Sequence, residues 1–413
     1  MASRVPKGEA LYERALRTIP WGTQTGSKRP APELQGVAPP YFVRGKGCRA
    51  WDMDGNEYID YKMACGPIIL GHAYDRVNEA AAAQMALGTV HSAAHPIEVE
   101  LAEEMVRTVP CADMVRFLKS GAEVTSAAVR IARAYSGRER VISAGYHGWH
   151  DWSLPATRGV PEAMKALTVS IPWDAAKLEE ALALHRETVA CFILSVPYDR
   201  TEEEVRAFLT AARALTAREG VVLVYDEIVT GFRLAMGGAQ ERFGVVPDLA
   251  VFSKAMANGF PIGAVAGKRE VMSAWEGVSI SSTFGGDTVS MAASLATIAE
   301  LREKRVHDQV WRMGARLMQG INAMAGDLGL GIRAEGLAPV FSVRITGKDA
   351  EAGRRLSTAF HRALLSRGIV PYSVWYLTYS HTEAEVERTL RVVREAMEAV
   401  TGEACSPHPP PSL

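Results

Sequence analysis

Four short stretches of this chain carry residue types able to do chemistry, and each follows an apolar run. Lys254 closes LAVFS and precedes Ala-Met-Ala-Asn-Gly-Phe-Pro. A lysine at the end of an apolar strand is partly desolvated, which lowers its pKa and makes it a usable amine nucleophile. An ordinary solvated lysine is the plain alternative. Asp226 and Glu227 follow VVLVY, where a carboxylate either finds a cationic partner or merely caps the next segment. Tyr146-His147-Gly148-Trp149-His150-Asp151-Trp152 follows RVISAG. Such a loop can stack on a planar ring and hydrogen-bond it, or pack with no ligand at all. It can also offer His147, His150 and Asp151 to zinc or iron, although the short spacing and the lack of an HExxH helix count against a metal. Ser120-Gly121-Ala122 follows MVRFLK and opens a helix. The free amides of a first helical turn, with glycine allowing close approach and the serine hydroxyl as an extra donor, cradle a phosphate. The plain alternative there is an N-cap serine and a turn glycine. No Walker GxxxxGK[ST] or GxGxxG is present, so nucleotide binding has no motif behind it.

The elements that must position these residues alternate. Helical patterns IEVELAEEMVRTV, AEVTSAAVRIARAY and 202–218 separate the short apolar runs MVRFLK, RVISAG, CFILSV, VVLVYD, LAVFS and IGAVAG. That order implies a mostly parallel sheet covered on both faces, with ligands at the carboxyl ends of the strands. Upstream, WDMDGNEYIDY reads as two strands around an Asp54-Gly55 turn. After Asp287 a second group, PVFSVRI, 350–367, IVPYSVWYLTY and 382–400, forms a smaller domain.

Composition bounds the rest. A chain of 413 residues with 48% hydrophobic and 23% charged residues is an ordinary globular protein of more than one packed unit. A net charge of −1 gives no basic surplus for nucleic acid or an anionic membrane. The five cysteines have no CxxC spacing, and no apolar run is long enough to span a bilayer, so a reducing cytoplasm is expected.

Taken together, a phosphate cradle, an aromatic ring-stacker, a buried carboxylate and a desolvated lysine at successive strand ends are the four parts that pyridoxal 5'-phosphate requires. From about Leu11 to Val400 the chain resembles the class III aminotransferases, in particular the subgroup around glutamate-1-semialdehyde aminomutase, in WDMDGNEYIDY, GPIILGH, YHGWHD, VYDEIVTGFR, GVVPDLAVFSKAMANGFPIGAVAG and SHTEAEVERTL. The resemblance implies an α/β fold, fold type I of the PLP-dependent transferases, with a large domain built on a mostly parallel sheet and a smaller α+β domain. Residues 1–60 would pack with the small domain, 61–305 form the large domain, 306–402 the small domain, and 403–413 a disordered tail. It further implies that Lys254 carries the cofactor as a Schiff base and then serves as the proton-moving base, with pyridoxamine 5'-phosphate as an intermediate. Asp226 pairs with the pyridine nitrogen, Tyr146 and His147 belong to the ring site, and Ile228 or Val229 packs the opposite face. Ser120, Gly121 and Ala122 hold the phosphate. Thr283 grips the cofactor of a neighbouring subunit, which implies a homodimer with shared sites.

The departures from the family bear on substrate. SGTEA reads Ser120-Gly121-Ala122-Glu123-Val124, and TFGGNP reads TFGGDT with Asp287 and Thr288. The loop VPYSVWYLTYSH lacks both the glutamate usual in aminomutases and the arginine usual in other transaminases. In the loop after IPxG, Arg29 and then Lys28 are the candidates for a substrate carboxylate, while Trp375 and Tyr376 suit a hydroxyl-rich acceptor. The expectation is an aminotransferase moving an amino group from an amino-acid donor to a carbonyl acceptor, with an intramolecular aminomutase as the alternative, and with no metal.

Overall fold

The computed structural model describes residues 3–154 and 156–404. From Cys405 onward, the tail expected to be disordered lies outside the described residues. The chain divides into two compact units. One comprises Gly66–Leu70 and Tyr74–His307; the other comprises the chain through Cys65, Gly71–Ala73 and the chain from Asp308 onward.

The first strands are β1 (Phe42–Lys46), β2 (Arg49–Asp52) and β3 (Glu57–Asp60). β2 and β3 pair antiparallel with Trp51 opposite Glu57. The Asp52 carboxylate closes the turn, Oδ1 accepting the amides of Asp54 at 2.9 Å and Asn56 at 2.8 Å, the local bond that makes aspartate a turn residue. The larger unit contributes β4 (Met114–Leu118), β5 (Arg140–Ala144), β6 (Thr168–Ser170), β7 (Val189–Ser195), β8 (Val222–Asp226), β9 (Leu249–Phe252) and β10 (Gly263–Gly267). They form one sheet in the order β4-β10-β9-β8-β7-β5-β6. Only β10 runs against its neighbours, antiparallel to both β4 and β9. Because β10 opposes both, β4 runs the same way as β9, and the carboxyl ends of β4, β5, β7, β8 and β9 share one edge. β6 has no counterpart in the sequence reading, since three residues carry no usable periodicity.

Helix Gly121–Ser136 shows why this sheet is covered. Val124, Ala127, Ala128 and Ile131 recur at helical spacing and are buried against Val141, Ile193, Val224, Val251 and Val265, one residue from each of five strands. Within β7 and β8, Cys191 and Ile193, and Val222 and Val224, face the same cluster at period two. Each valine or isoleucine among them contributes roughly 1.5–3 kcal/mol on full burial.

In the smaller unit, β11 (Ile332–Leu337), β12 (Val340–Ile345) and β14 (Val374–Tyr376) form a three-stranded antiparallel sheet, while β13 (Ile369–Val370) adds to β3 in parallel. Trp375, expected at the substrate, belongs instead to this unit's core. It is 1% exposed, with its ring 4.5 Å from Tyr61 and 5.9 Å from Phe341. A strand residue facing inward cannot also face a solvent-borne ligand. Tyr376 is likewise buried. Among the described residues no helix is long and apolar enough to cross a membrane, and Cys48, Cys65, Cys111 and Cys191 are free thiols.

Candidate active site

The shared carboxyl edge gathers the strand-end residues of the larger unit. Asp226 ends β8 and is 5% exposed. Its Oδ2 lies 2.8 Å from Nδ1 of the buried His147, and its Oδ1 accepts the amide of Ile228 at 3.1 Å. A carboxylate only accepts, so Nδ1 carries the proton and donates. The His147 Nε2 is buried with no hydrogen-bond partner among the described residues. The His147 carbonyl accepts from the Thr125 hydroxyl at 2.7 Å, and its ring stacks on Trp152 at 5.9 Å. His147 thus orients Asp226, whereas the sequence reading placed it among the ring contacts. Tyr146 stands next to it, 66% exposed.

The adjacent carboxylate does something different. Glu227 is fully buried and accepts from the Thr230 hydroxyl at 2.7 Å and the amides of Ala239 at 2.7 Å and Gln240 at 3.1 Å. Burial pushes its pKa up, against those hydrogen bonds. It caps helix Gly238–Phe243 and belongs to the scaffold.

Lys254 follows β9 at the start of the turn Lys254–Ala257, half-buried, with φ at +42°. A non-glycine residue in the left-handed region costs of order 1–3 kcal/mol and persists where the surroundings fix it. They do so here. The Ser253 hydroxyl donates to the Ile262 carbonyl at 2.7 Å, and Ser294 donates to the Met256 carbonyl at 3.0 Å. Asn258 closes the turn, and its side-chain oxygen accepts the amides of Ile69 and Leu70 at 3.0 and 2.9 Å.

Ser120 is the N-cap of helix Gly121–Ser136, in a reciprocal capping box with Glu123. Glu123 accepts the amides of Lys119 and Ser120 at 2.9 and 2.8 Å and the Ser120 hydroxyl at 3.1 Å. The hydroxyl expected at a phosphate is therefore already engaged. The amides of Gly121 and Ala122, in the same first turn, have no acceptor among the described residues. Two glycines keep this corner tight. A Cβ on Gly121 would stand 2.8 Å from Ile228 Cδ1, and one on Gly148, whose φ is +101°, would stand 2.7 Å from the Ala122 Cβ. Ile228 is thus brought against the start of the helix, and Val229 beside it is half-buried.

Thr283 is exposed on the segment before helix Thr288–Glu303. Lys119 ties that segment down, donating to Asp287 Oδ2 at 2.5 Å and to the Ser290 hydroxyl at 3.2 Å. Burial raises the Asp287 pKa, but the hydrogen bonds from Lys119 and Ser290 outweigh it and hold the carboxyl below its ordinary range. The sequence reading registered Asp287 only as a departure; nothing local announces a partner 168 residues away. Lys28 and Arg29 are exposed and belong to the other unit. Among the described residues no histidine, cysteine or carboxylate group is arranged to hold a metal. His150 Nδ1 lies instead 2.5 Å from the Ser126 hydroxyl.

The Aminotransferase class-III family profile matches residues 34–196 and 200–374. The chain belongs to the class III aminotransferases. It is 34% identical to the glutamate-1-semialdehyde 2,1-aminomutase of Methanothermobacter thermautotrophicus, over 95% of this chain and 99% of that one. It is 33% identical to the 3-aminobutyryl-CoA aminotransferase of Cloacimonas acidaminovorans, over 96% and 98%. A solved transaminase with PLP bound superposes with a TM-score of 0.90 at 28% identity, over 97% and 99%. The class III cofactor is pyridoxal 5'-phosphate. The edge fits it: free amides at a helix start suit a phosphate, a buried carboxylate fixed by an imidazole suits a pyridinium, and a strand-end lysine suits an aldehyde.

Proposed function

We propose that this class III enzyme is an aminotransferase that moves an amino group from an amino-acid donor to a carbonyl acceptor. The observation that carries the reading is Lys254 at the end of β9, one strand from the Asp226–His147 pair at the end of β8. The amides of Gly121 and Ala122 would hold the phosphate, with Ser120 completing that turn. Tyr146 would cover one face of the ring, Ile228 or Val229 the other, and Asp226 the ring nitrogen. When bound, the cofactor supplies an electron sink for a carbanion at the substrate Cα. Lys254 first holds the aldehyde; its freed amine then takes the Cα proton, a task for a neutral lysine near pH 7. His147 keeps Asp226 aimed, since its Nδ1 proton points at Oδ2. Thr283 would act on a second copy, making the enzyme a homodimer, and its place would be the cytoplasm.

The loop 371–381 supports transfer between molecules, since it lacks the glutamate expected of an aminomutase. An aminomutase is the second reading, favoured by the 34% identity to a glutamate-1-semialdehyde 2,1-aminomutase. Incubating enzyme, amino-acid donor and carbonyl acceptor separates the two. Transfer yields one donor-derived keto acid per aminated acceptor, whereas an aminomutase isomerises glutamate 1-semialdehyde with no keto acid released.

A further inference from the structure

Within the larger unit, one side chain ties the segment that carries Thr283 to the phosphate turn. Lys119 follows β4 and immediately precedes Ser120. Its amide donates to Glu123 Oε2 at 2.9 Å, inside the capping box that shapes the turn at Ser120. Its ammonium reaches the other way, donating to Asp287 Oδ2 at 2.5 Å and to the Ser290 hydroxyl at 3.2 Å. Ser290 donates to the same Oδ2 at 2.6 Å, while Oδ1 accepts the Val289 amide at 3.1 Å and caps helix Thr288–Glu303. The side chains of Lys119 and Asp287 are only 20% and 18% exposed, so water screens the pair weakly. A lysine is a flexible tether when one end is loose. Here both ends are held, and the pair joins the start of one helix to the start of another.

The segment beyond Asp287 is held at several points. The amides of Gly285 and Asp287 donate to the carbonyls of Ser282 and Phe284 at 3.0 and 3.1 Å, which closes the turn 282–287. A Cβ on Gly285 would stand 3.2 Å from the Phe117 carbonyl oxygen of β4. The buried Thr288 donates its amide to the Thr89 carbonyl at 3.0 Å and its hydroxyl to the Gly88 carbonyl at 2.9 Å. Thr283 differs from these, since it is exposed and its hydroxyl has no partner among the described residues. Asp287 stands where TFGGNP has asparagine. A neutral residue there would leave the Lys119 ammonium half-buried without its counter-charge.

We propose that Lys119 and Asp287 are positioning residues, whose ion pair sets the turn carrying Thr283 by reference to the subunit's own phosphate turn. The place of the hydroxyl that one subunit offers to the cofactor of a second copy is then fixed by the subunit that offers it. The proposal rests on the homodimer reading, in which Thr283 acts on that second copy. Neither Lys119 nor Asp287 touches the cofactor in this account; both act through Thr283.

The test follows cofactor release from the holoenzyme by absorbance after dilution, in wild type and in K119M, K119R, D287N, T283A and K119M/T283A. T283A should release roughly 10- to 100-fold faster, the scale of one hydrogen bond to a charged group. K119M and D287N should release roughly 3- to 10-fold faster, the scale of a modest ion pair. K119R keeps the charge and should recover most of that loss. Because the pair acts through Thr283, K119M/T283A should release no faster than T283A alone. Fast release from T283A with wild-type release from K119M and D287N would overturn the proposal and leave the Thr283 reading standing. Losses that multiply in the double variant would overturn action through Thr283, and K119R as fast as K119M would overturn the role of the charge. Wild-type release from T283A would overturn the reading on which the proposal rests. Should K119M fail to fold, D287N and D287N/T283A carry the same comparison.

Discussion

Two regions of this molecule hold charge away from water, and they treat it oppositely. At the sheet edge, the buried carboxylates are answered within the protein: Asp226 by His147, and Glu227 by Thr230, Ala239 and Gln240. Asp248, just before β9 at the opposite edge, is answered by Lys268 and Arg213. Among the described residues the half-buried Lys62 ammonium has a carbonyl and a ring as partners but no carboxylate at ion-pair distance. A charge fully answered from within stabilises or orients the scaffold, whereas a half-buried charge without a counter-charge keeps the cost of its desolvation. Asp226 combines both, since its imidazole and amide partners leave lone pairs for a cation.

The largest effect should come from Lys254→Ala, which removes both anchor and base. Turnover should vanish while cofactor is still retained through the phosphate contacts. Borohydride reduction of the wild type, followed by peptide mass spectrometry, should find the adduct on Lys254; an adduct on another lysine breaks the assignment. Next is Asp226→Asn, expected to fold normally and to lose on the order of 10²–10³ in rate, the scale of removing one preorganised charge from an active site. Near-normal turnover would place Asp226 with Glu227 as scaffold. Glu227→Gln tests the other side of the comparison. It should cost about 1–3 kcal/mol of unfolding free energy, read by chemical denaturation, while the rate per bound cofactor stays near wild type. Gly148→Ala adds a Cβ 2.7 Å from the Ala122 Cβ at a φ of +101°. A loss of about 1–3 kcal/mol is expected, together with faster cofactor release, followed by absorbance after dilution.

The smallest effect should be at Asp287, whose carboxyl titrates below its ordinary range when folded. A group with a depressed folded pKa contributes stability above its unfolded pKa, about 3.9 for aspartate, and that stability is lost as pH falls through the folded value. Asp287→Asn should therefore lower stability slightly at neutral pH and flatten the loss below about pH 4. Acid-unfolding curves for the two proteins that stay parallel through that range would show that the Lys119 ion pair contributes nothing measurable.

The sequence by itself determined the strand ends and what stands on them. The apolar runs before Ser120, Tyr146, Asp226 and Lys254 are β4, β5, β8 and β9. A short apolar run and a following glycine or charge are local signals, so they survive in the linear order of residues. Tertiary structure decided which neighbours those residues have. Asp226 and Glu227 are alike in type and adjacent in sequence, yet one is held by an imidazole 79 positions upstream and the other caps a helix 11 residues downstream. Trp375 reads as an aromatic on a substrate loop, and its burial against Tyr61 appears only once β14 pairs with β12. Lys62 carries no motif, and its half-burial appears only once Ser27 and Tyr372 close around it. Burial and partnership depend on contacts between residues far apart in the chain, and they decide whether a charge is answered within the protein.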